Sequence, residues 1–276
     1  MDKEKKLRVG YLSGIGVTDK NIESKINYIY DMCIGNSLSA IILNGGISND
    51  YELTLRFVDL LGLRLKKSHI IMRFVFGNTD LYYDGPTLDK KSKFDFVRNE
   101  LLNNKYCLVT NPLTFNGVWI YGIESWYDYS LYRGKPITLS KVVKKRKFLF
   151  YNKDIKYITD NDIRYNSVED TFDYKYTDLC INNIKELLNN MFSKYMRPNI
   201  LVGVMYFYPS GHFLREGILS GYFGSFKGSL RFYDVLKFYG FRQCIVGIDS
   251  NKKYSVYGGI NFFNCNRNLV IREYII

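Results

Sequence analysis

Apolar positions along the first half of the chain fall into two alternating kinds of run. Leu7 to Leu12 is a short, nearly continuous apolar block, and the segment after it carries Ile22, Ile26, Ile29 and Cys33 at spacings of three and four. The first predicts a buried strand and the second a helix with one buried stripe. The pattern then repeats. Ala40-Ile41-Ile42-Leu43 predicts a second strand that ends in the loop Asn44 to Asp50, and Leu53, Phe57 and Leu61 mark the inner face of a second helix, with Asn49 or Asp50 as its N-cap. His69 to Phe76 predicts a third strand, ended by Gly77-Asn78-Thr79-Asp80. A helix near Lys93 to Asn103 and a hairpin-like pair, Tyr106 to Val109 with Leu113 to Tyr121, follow it. A βα rhythm of this kind places ligands at the loops that follow strand ends.

The segment from Ser125 to Asp173 is polar, basic and aromatic without a clear period, and reads as a long excursion over the surface. A long helix is predicted from Asp173 to Tyr195, with Leu179, Ile184, Leu187, Leu188 and Met191 near one face, and Pro198 marks its end. The remainder predicts a buried strand from Ile200, a helix over Leu230 to Phe238, and short β-runs at Arg242 to Gly247, Lys253 to Tyr257, Ile260 to Asn264 and Leu269 to Tyr274. No repeat and no linker divides the chain, so one domain over residues 1–276 is expected, with an elaborated middle at about 125–173.

Composition narrows the classes. Among 276 residues 46% are hydrophobic and 17% aromatic, which supplies a large core and excludes intrinsic disorder. Five prolines and no Gly-X-Y period exclude fibrous classes. No apolar stretch approaches the ~20 residues of a membrane helix, and the polar Met1 to Lys6 leads straight into a strand, so no membrane insertion and a cytoplasmic location are expected. Five widely spaced cysteines match neither a zinc knuckle nor a redox pair nor a disulfide framework. Only two histidines occur, His69 and His212, and the first reads as structural.

The charge is uneven: 39 Lys+Arg against 27 Asp+Glu leave +12, with a dense run at Lys141, Lys144, Lys145, Arg146 and Lys147 beside Phe148, Phe150 and Tyr151. Such a run suits a nucleic-acid backbone or another anionic ligand; its simpler reading is a solvated face.

The loops after the strands carry a resemblance. Ser13-Gly14-Ile15-Gly16, Gly45-Gly46-Ile47-Ser48-Asn49, Gly77-Asn78-Thr79-Asp80, Met205-Tyr206-Phe207-Tyr208-Pro209 and Gly247-Ile248-Asp249-Ser250 follow one another in the order of the motifs D-x-H, G-D, G-N-H-D, a lone His and G-H-x-H. In that order and placement the chain resembles the calcineurin-like metallophosphoesterases over nearly its whole length. Gly122 to Ser130 and Tyr222 to Ser225 are similar to a Gram-positive bacterial branch of that family. The resemblance implies a four-layer α/β/β/α sandwich of two mixed sheets.

It also implies two divalent ions held at seven positions, which fall here on Gly14, Gly16, Gly46, Asn78, Tyr206, Ile248 and Ser250, with the proton-donating histidine position on Thr79. Only Asn78 keeps a ligand of the right kind, and glycine offers no donor atom under any rotamer. A threonine hydroxyl is also a poor acid near neutrality. The expectation is a pseudoenzyme without metal or other cofactor, bound to another protein as a scaffold, accessory or regulatory subunit. Alternatives stay open: chemistry relocated to Asp80, Asp249 or His212 on a phosphorylated or peptide substrate, or nucleic-acid binding through Lys141 to Lys147. Asp19, Asp50, Asp80, Asp249 and Asn251 could hold a single Mg²⁺ or Ca²⁺, though Asp and Asn after strands ordinarily cap helices and turns. Trp126, beside Tyr127 and Asp128, could line a ligand groove or pack inward.

Overall fold

The computed structural model describes residues 6–84, 90–131, 171–213, 226–250 and 252–275. The basic run Lys141 to Lys147, the Tyr222 to Ser225 segment and Asn251 lie outside the described residues.

Ten strands form two mixed sheets. The first has the order β10-β1-β2-β3, made of β1 (Lys6–Leu12), β2 (Ala40–Asn44), β3 (Ile71–Val75) and β10 (Val270–Ile275). β1, β2 and β3 run parallel, and β10 returns antiparallel to β1, pairing Leu7 with Tyr274 and Tyr11 with Val270. The second has the order β4-β5-β6-β7-β9-β8, made of β4 (Leu113–Phe115), β5 (Val118–Ile123), β6 (Ile200–Met205), β7 (Gln243–Val246), β8 (Tyr254–Tyr257) and β9 (Ile260–Asn264). Its inner four strands are parallel, and β4 and β8 are antiparallel edges. The helices are α1 (Ile22–Gly35), α2 (Tyr51–Lys66), α3 (Lys90–Asn103), α4 (Phe172–Lys194) and α5 (Arg231–Tyr239).

The period-2 alternation of the strands sorts the core into layers. Val9, Tyr11, Ala40, Ile42, Val202, Val204 and Ile245 meet between the sheets, whereas Ile41, Leu43 and Cys244 face the helical layers. Each fully buried Ile or Val contributes roughly 1.5–3 kcal/mol. The Tyr11 and Tyr274 hydroxyls meet at 3.0 Å inside the inter-sheet layer, giving each ring a partner for its polar tip. This is the α/β architecture of two mixed sheets with flanking helices that the loop order implied.

Local signals account for most elements. Ile22, Ile26, Ile29 and Cys33 are the buried stripe of α1, and Asp50 caps α2 by accepting from Leu53 N at 2.9 Å. Four expectations need correction. His69 is not in a strand: at φ 58° it ends α2, with its N–H on Lys66 O and that of Ile70 on Leu65 O, a Schellman closure. Tyr106 to Val109 is no strand either, and the hairpin is β4 with β5, joined across Gly117 at φ 72°. Leu179 is 43% exposed, because α4 turns Tyr176, Cys180, Ile184 and Leu188 inward. Finally, Ser125 to Leu131 does not run over the surface. Trp126, Tyr127, Tyr129 and Leu131 are buried, and residues 132–170 lie outside the described residues.

Candidate functional site

The loops that follow β1, β2, β3, β6 and β7 converge at one end of the sandwich, where the two sheets are tied together by polar groups. Asn44, the last residue of β2, is fully buried and donates through Nδ2 across the interface to Met205 O (2.9 Å) and Ile245 O (3.2 Å). Among the described residues, its buried Oδ1 has no partner. Ser13 Oγ, just past β1, lies 2.7 Å from Gly247 O and 2.9 Å from Gly45 O. The first two loops are also zipped backbone to backbone: Gly14 N donates to Gly45 O at 3.2 Å, Gly16 N to Gly46 O at 3.3 Å and Val17 N to Ile47 O at 2.7 Å. This pairing requires positive φ at Gly14, Gly16, Gly45 and Gly46, a region that residues with a β-carbon rarely enter.

Tyr206 closes the centre of the site. A β-carbon on Gly45 would stand 2.3 Å from ring atom Cδ2, one on Gly77 2.7 Å from Cδ1, and one on Gly247 2.9 Å from Cδ2. The ring therefore packs directly on the bare backbone of three loops, at the glycines that open the stretches matching G-D, G-N-H-D and G-H-x-H. The hydroxyl end reaches Gly46, whose β-carbon would lie 3.5 Å from Tyr206 Oη and 3.3 Å from the Gly14 backbone. A β-carbon at position 14 would meet the tip of the Asn266 side chain, Oδ1, at 2.4 Å, whereas one at Gly16 would face open space.

Asp80 is fully buried and spans two loops. It accepts from Gly77 N (2.8 Å), Gly46 N (2.9 Å), Ile47 N (2.8 Å) and Ser48 N (3.0 Å), with Thr54 Oγ1 at 3.2 Å. Burial raises its carboxyl to about 6, while the hydrogen bonds from the Gly77, Ser48 and Ile47 backbone and from Thr54 pull the other way. All four backbone donors would be stranded without it, which makes it the clamp of the β2 and β3 loops. It is not a residual binding group, because none of its oxygens faces open space.

The other predicted positions are scattered. Asn78 is buried with Nδ2 3.5 Å from Tyr82 Oη, and Thr79 opens the 3-10 turn Thr79–Leu81. Ile248 is buried, and its carbonyl accepts from Tyr208 Oη (2.8 Å) and Asn264 Nδ2 (2.7 Å). Ser250 Oγ accepts from Lys252 N at 3.0 Å, and Asp249 accepts from Asn266 Nδ2 at 3.1 Å on the surface. Asp19 pairs with exposed Arg56 at 3.5 Å. His212 is exposed and lies with its ring 4.0 Å from that of Tyr257 on edge strand β8. Trp126 is 1% exposed and donates to Asp173 Oδ1 at 2.8 Å, so it is a core residue and lines no groove. Among the described residues, no three His, Cys, Asp or Glu side chains come together as a metal site.

Sequence reasoning missed Asn44 and Ser13, although an asparagine closing an all-apolar strand just before Gly-Gly was a usable signal. It also missed the buried pair of Arg98 and Glu124. Arg98 Nε and Nη2 donate to the carboxylate at 2.6 and 2.7 Å, and Tyr176 Oη donates to the same group. The pair lines a cavity of about 310 Å³ between α3 and α4, walled by Leu102, Ile184 and Leu187.

By sequence the chain matches no protein-family model and no curated protein. By structure it is similar to a phosphopantetheinyl hydrolase from Mycobacterium tuberculosis, with a TM-score of 0.65 and 15% identity over 96% of this chain and 91% of that one. It is similar to GAP50, the anchor in the inner membrane complex of Plasmodium, with a TM-score of 0.52 and 12% identity over 98% and 81%. A dimetal phosphatase from Danio rerio gives a TM-score of 0.50 and 10% identity over 94% and 86%. The fold is therefore metallophosphoesterase-like. No helix among the described residues is long and apolar enough to cross a membrane.

Proposed function

We propose that this chain is a catalytically inactive protein of metallophosphoesterase-like fold that works by binding another protein, as a scaffold, accessory or regulatory subunit. One observation carries the reading: where the strand-end loops converge, the positions matching metal ligands are largely residues without a side-chain donor, and the ring of Tyr206, at another of them, packs on loop backbone. Two-metal hydrolysis needs several oxygen and nitrogen donors converging on ions about 3.5–4 Å apart. Gly14, Gly16, Gly46 and Ile248 offer none, and Asp80 is consumed by backbone donors. That GAP50 is an anchor is a precedent of the same kind on this fold.

Relocated chemistry is less well supported, since Asp80, Asp249 and His212 are engaged separately, by loop amides, Asn266 and Tyr257. The deciding experiment incubates the purified protein with Mn²⁺, Zn²⁺ and Mg²⁺, dialyses it, and measures metal content and nitrophenyl phosphodiester hydrolysis on the same samples. The expected result is no retained ion and no turnover. One or two tightly held ions accompanied by turnover would overturn the proposal.

A further inference from the structure

The two sheets differ in width, and the difference leaves one corner of the sandwich uncovered. β10, the outer strand of the four-stranded sheet, lies over the seam of β7 and β9: Tyr274 Oη is 3.5 Å from Gln243 Oε1, and the Arg272 guanidinium sits 4.4 Å from the ring centroid of Phe263. The six-stranded sheet continues past that point with β8. Phe263 faces the inter-sheet side, and its cross-strand partner Tyr254 and the next residue on that face, Val256, therefore face the same way. Among the described residues, no strand of the narrower sheet covers them. Tyr254 is 51% and Val256 56% exposed on what would be an inner face. Tyr257, on the opposite face, is instead packed on Tyr233 of α5 at 4.7 Å.

β10 is also a free edge. Among the described residues its backbone pairs only with β1, so its outward amides and carbonyls stand beside the uncovered shelf. A fifth strand added there would continue the narrower sheet and lie across Tyr254 and Val256. It would satisfy an unpaired edge and cover an exposed apolar face together. Charge selects the occupant. On β8, β9, β10 and the Lys252-Lys253 approach, the only acidic residue is Glu273, already paired with Arg8 at 3.2 Å, against Lys253, Arg272 and Lys252, whose Nζ donates to His212 O at 2.8 Å. A second copy of a chain carrying +12 is repelled from such a corner.

We infer that an extended, acidic segment of a partner protein pairs with the free edge of β10 and sets alternate apolar side chains on Tyr254 and Val256. This deepens the scaffold reading and rests on it. The probe is a fluorescein-labelled peptide, Glu-Val-Glu-Val-Asp-Val-Glu-Tyr, followed by anisotropy against the full chain, with sedimentation velocity run on the same samples. Saturable binding is expected, weakened at least tenfold by Val256→Asp, by exchanging the acidic residues of the peptide for lysine, and by N-methylation of alternate peptide amides. Val256 is exposed, so the variant keeps its fold, which circular dichroism checks.

No saturable binding, or binding indifferent to Val256→Asp or to N-methylation, overturns the inference. A dimer abolished by Val256→Asp would do so too, assigning the corner to a second copy. Phosphodiester turnover with retained metal would instead sink the scaffold reading while leaving the peptide result intact, so the two failures are distinguishable.

Discussion

The ring of Tyr206 lies so close over Gly77 that a β-carbon at that position would stand 2.7 Å from ring atom Cδ1, with two further ring carbons at 2.8 Å. The aromatic ring on one strand end and the bare backbone on another are thus a matched pair. Gly77→Ala should destabilise the protein by about 1–3 kcal/mol through overpacking. In a Tyr206→Ala background the same change should be close to neutral. Urea unfolding of the four members of this double-mutant cycle measures the coupling, and strict additivity would show that the ring does not set the need for glycine.

Asp80 makes stability depend on pH in a direction opposite to that of most carboxylates. Its folded pKa, about 6, lies above the ordinary value of 3.8, so the folded chain holds the proton more tightly than the unfolded one. The stabilisation linked to that proton is complete below about pH 4 and is lost as pH rises through 6, by up to about 3 kcal/mol. Asp80→Asn should abolish this slope between pH 4 and 6, read by chemical denaturation across that range. It should also lower stability overall, because an amide cannot accept from all four loop N–H groups.

Arg98 and Glu124 form a charge pair whose side chains are 14% and 2% exposed. Removing one partner strands the other: Arg98→Met alone should cost about 3–5 kcal/mol, and the double change Arg98→Met with Glu124→Leu clearly less. Thermal or urea unfolding of the three variants tests this ordering.

All five cysteines are free and buried, and burial pushes the Cys107 thiol to about 11 and those of Cys33 and Cys265 to about 12. Ellman's reagent at pH 8 should therefore find no fast-reacting thiol in the native protein and five after unfolding. A rapid native reaction would place at least one thiol at the surface.

Much of the architecture was readable because it follows from local period. The unbroken apolar run Ala40 to Leu43 marks a strand buried on both faces, and the three-and-four spacing of Ile22, Ile26, Ile29 and Cys33 dictates which face of α1 is apolar, whatever the rest of the chain does. The loop glycines at positions 14, 16 and 46 were equally visible, since the absence of a side chain needs no structure to establish it.

What the linear order left open were the contacts between residues far apart in it. That Tyr206 lies across Gly45, Gly77 and Gly247, that Asp80 clamps a loop some thirty residues earlier, and that Asn44 donates to strands 161 and 201 residues away are consequences of how two sheets stack. The choice for Trp126 between a groove and the core stayed open for the same reason, because its buried partner Asp173 is 47 residues distant. The bare shelf at Tyr254 and Val256 exists only because one sheet is two strands wider than the other. Secondary structure is set by neighbours along the chain. A site, a clamp or an uncovered edge is set by which elements the packing of the core brings face to face.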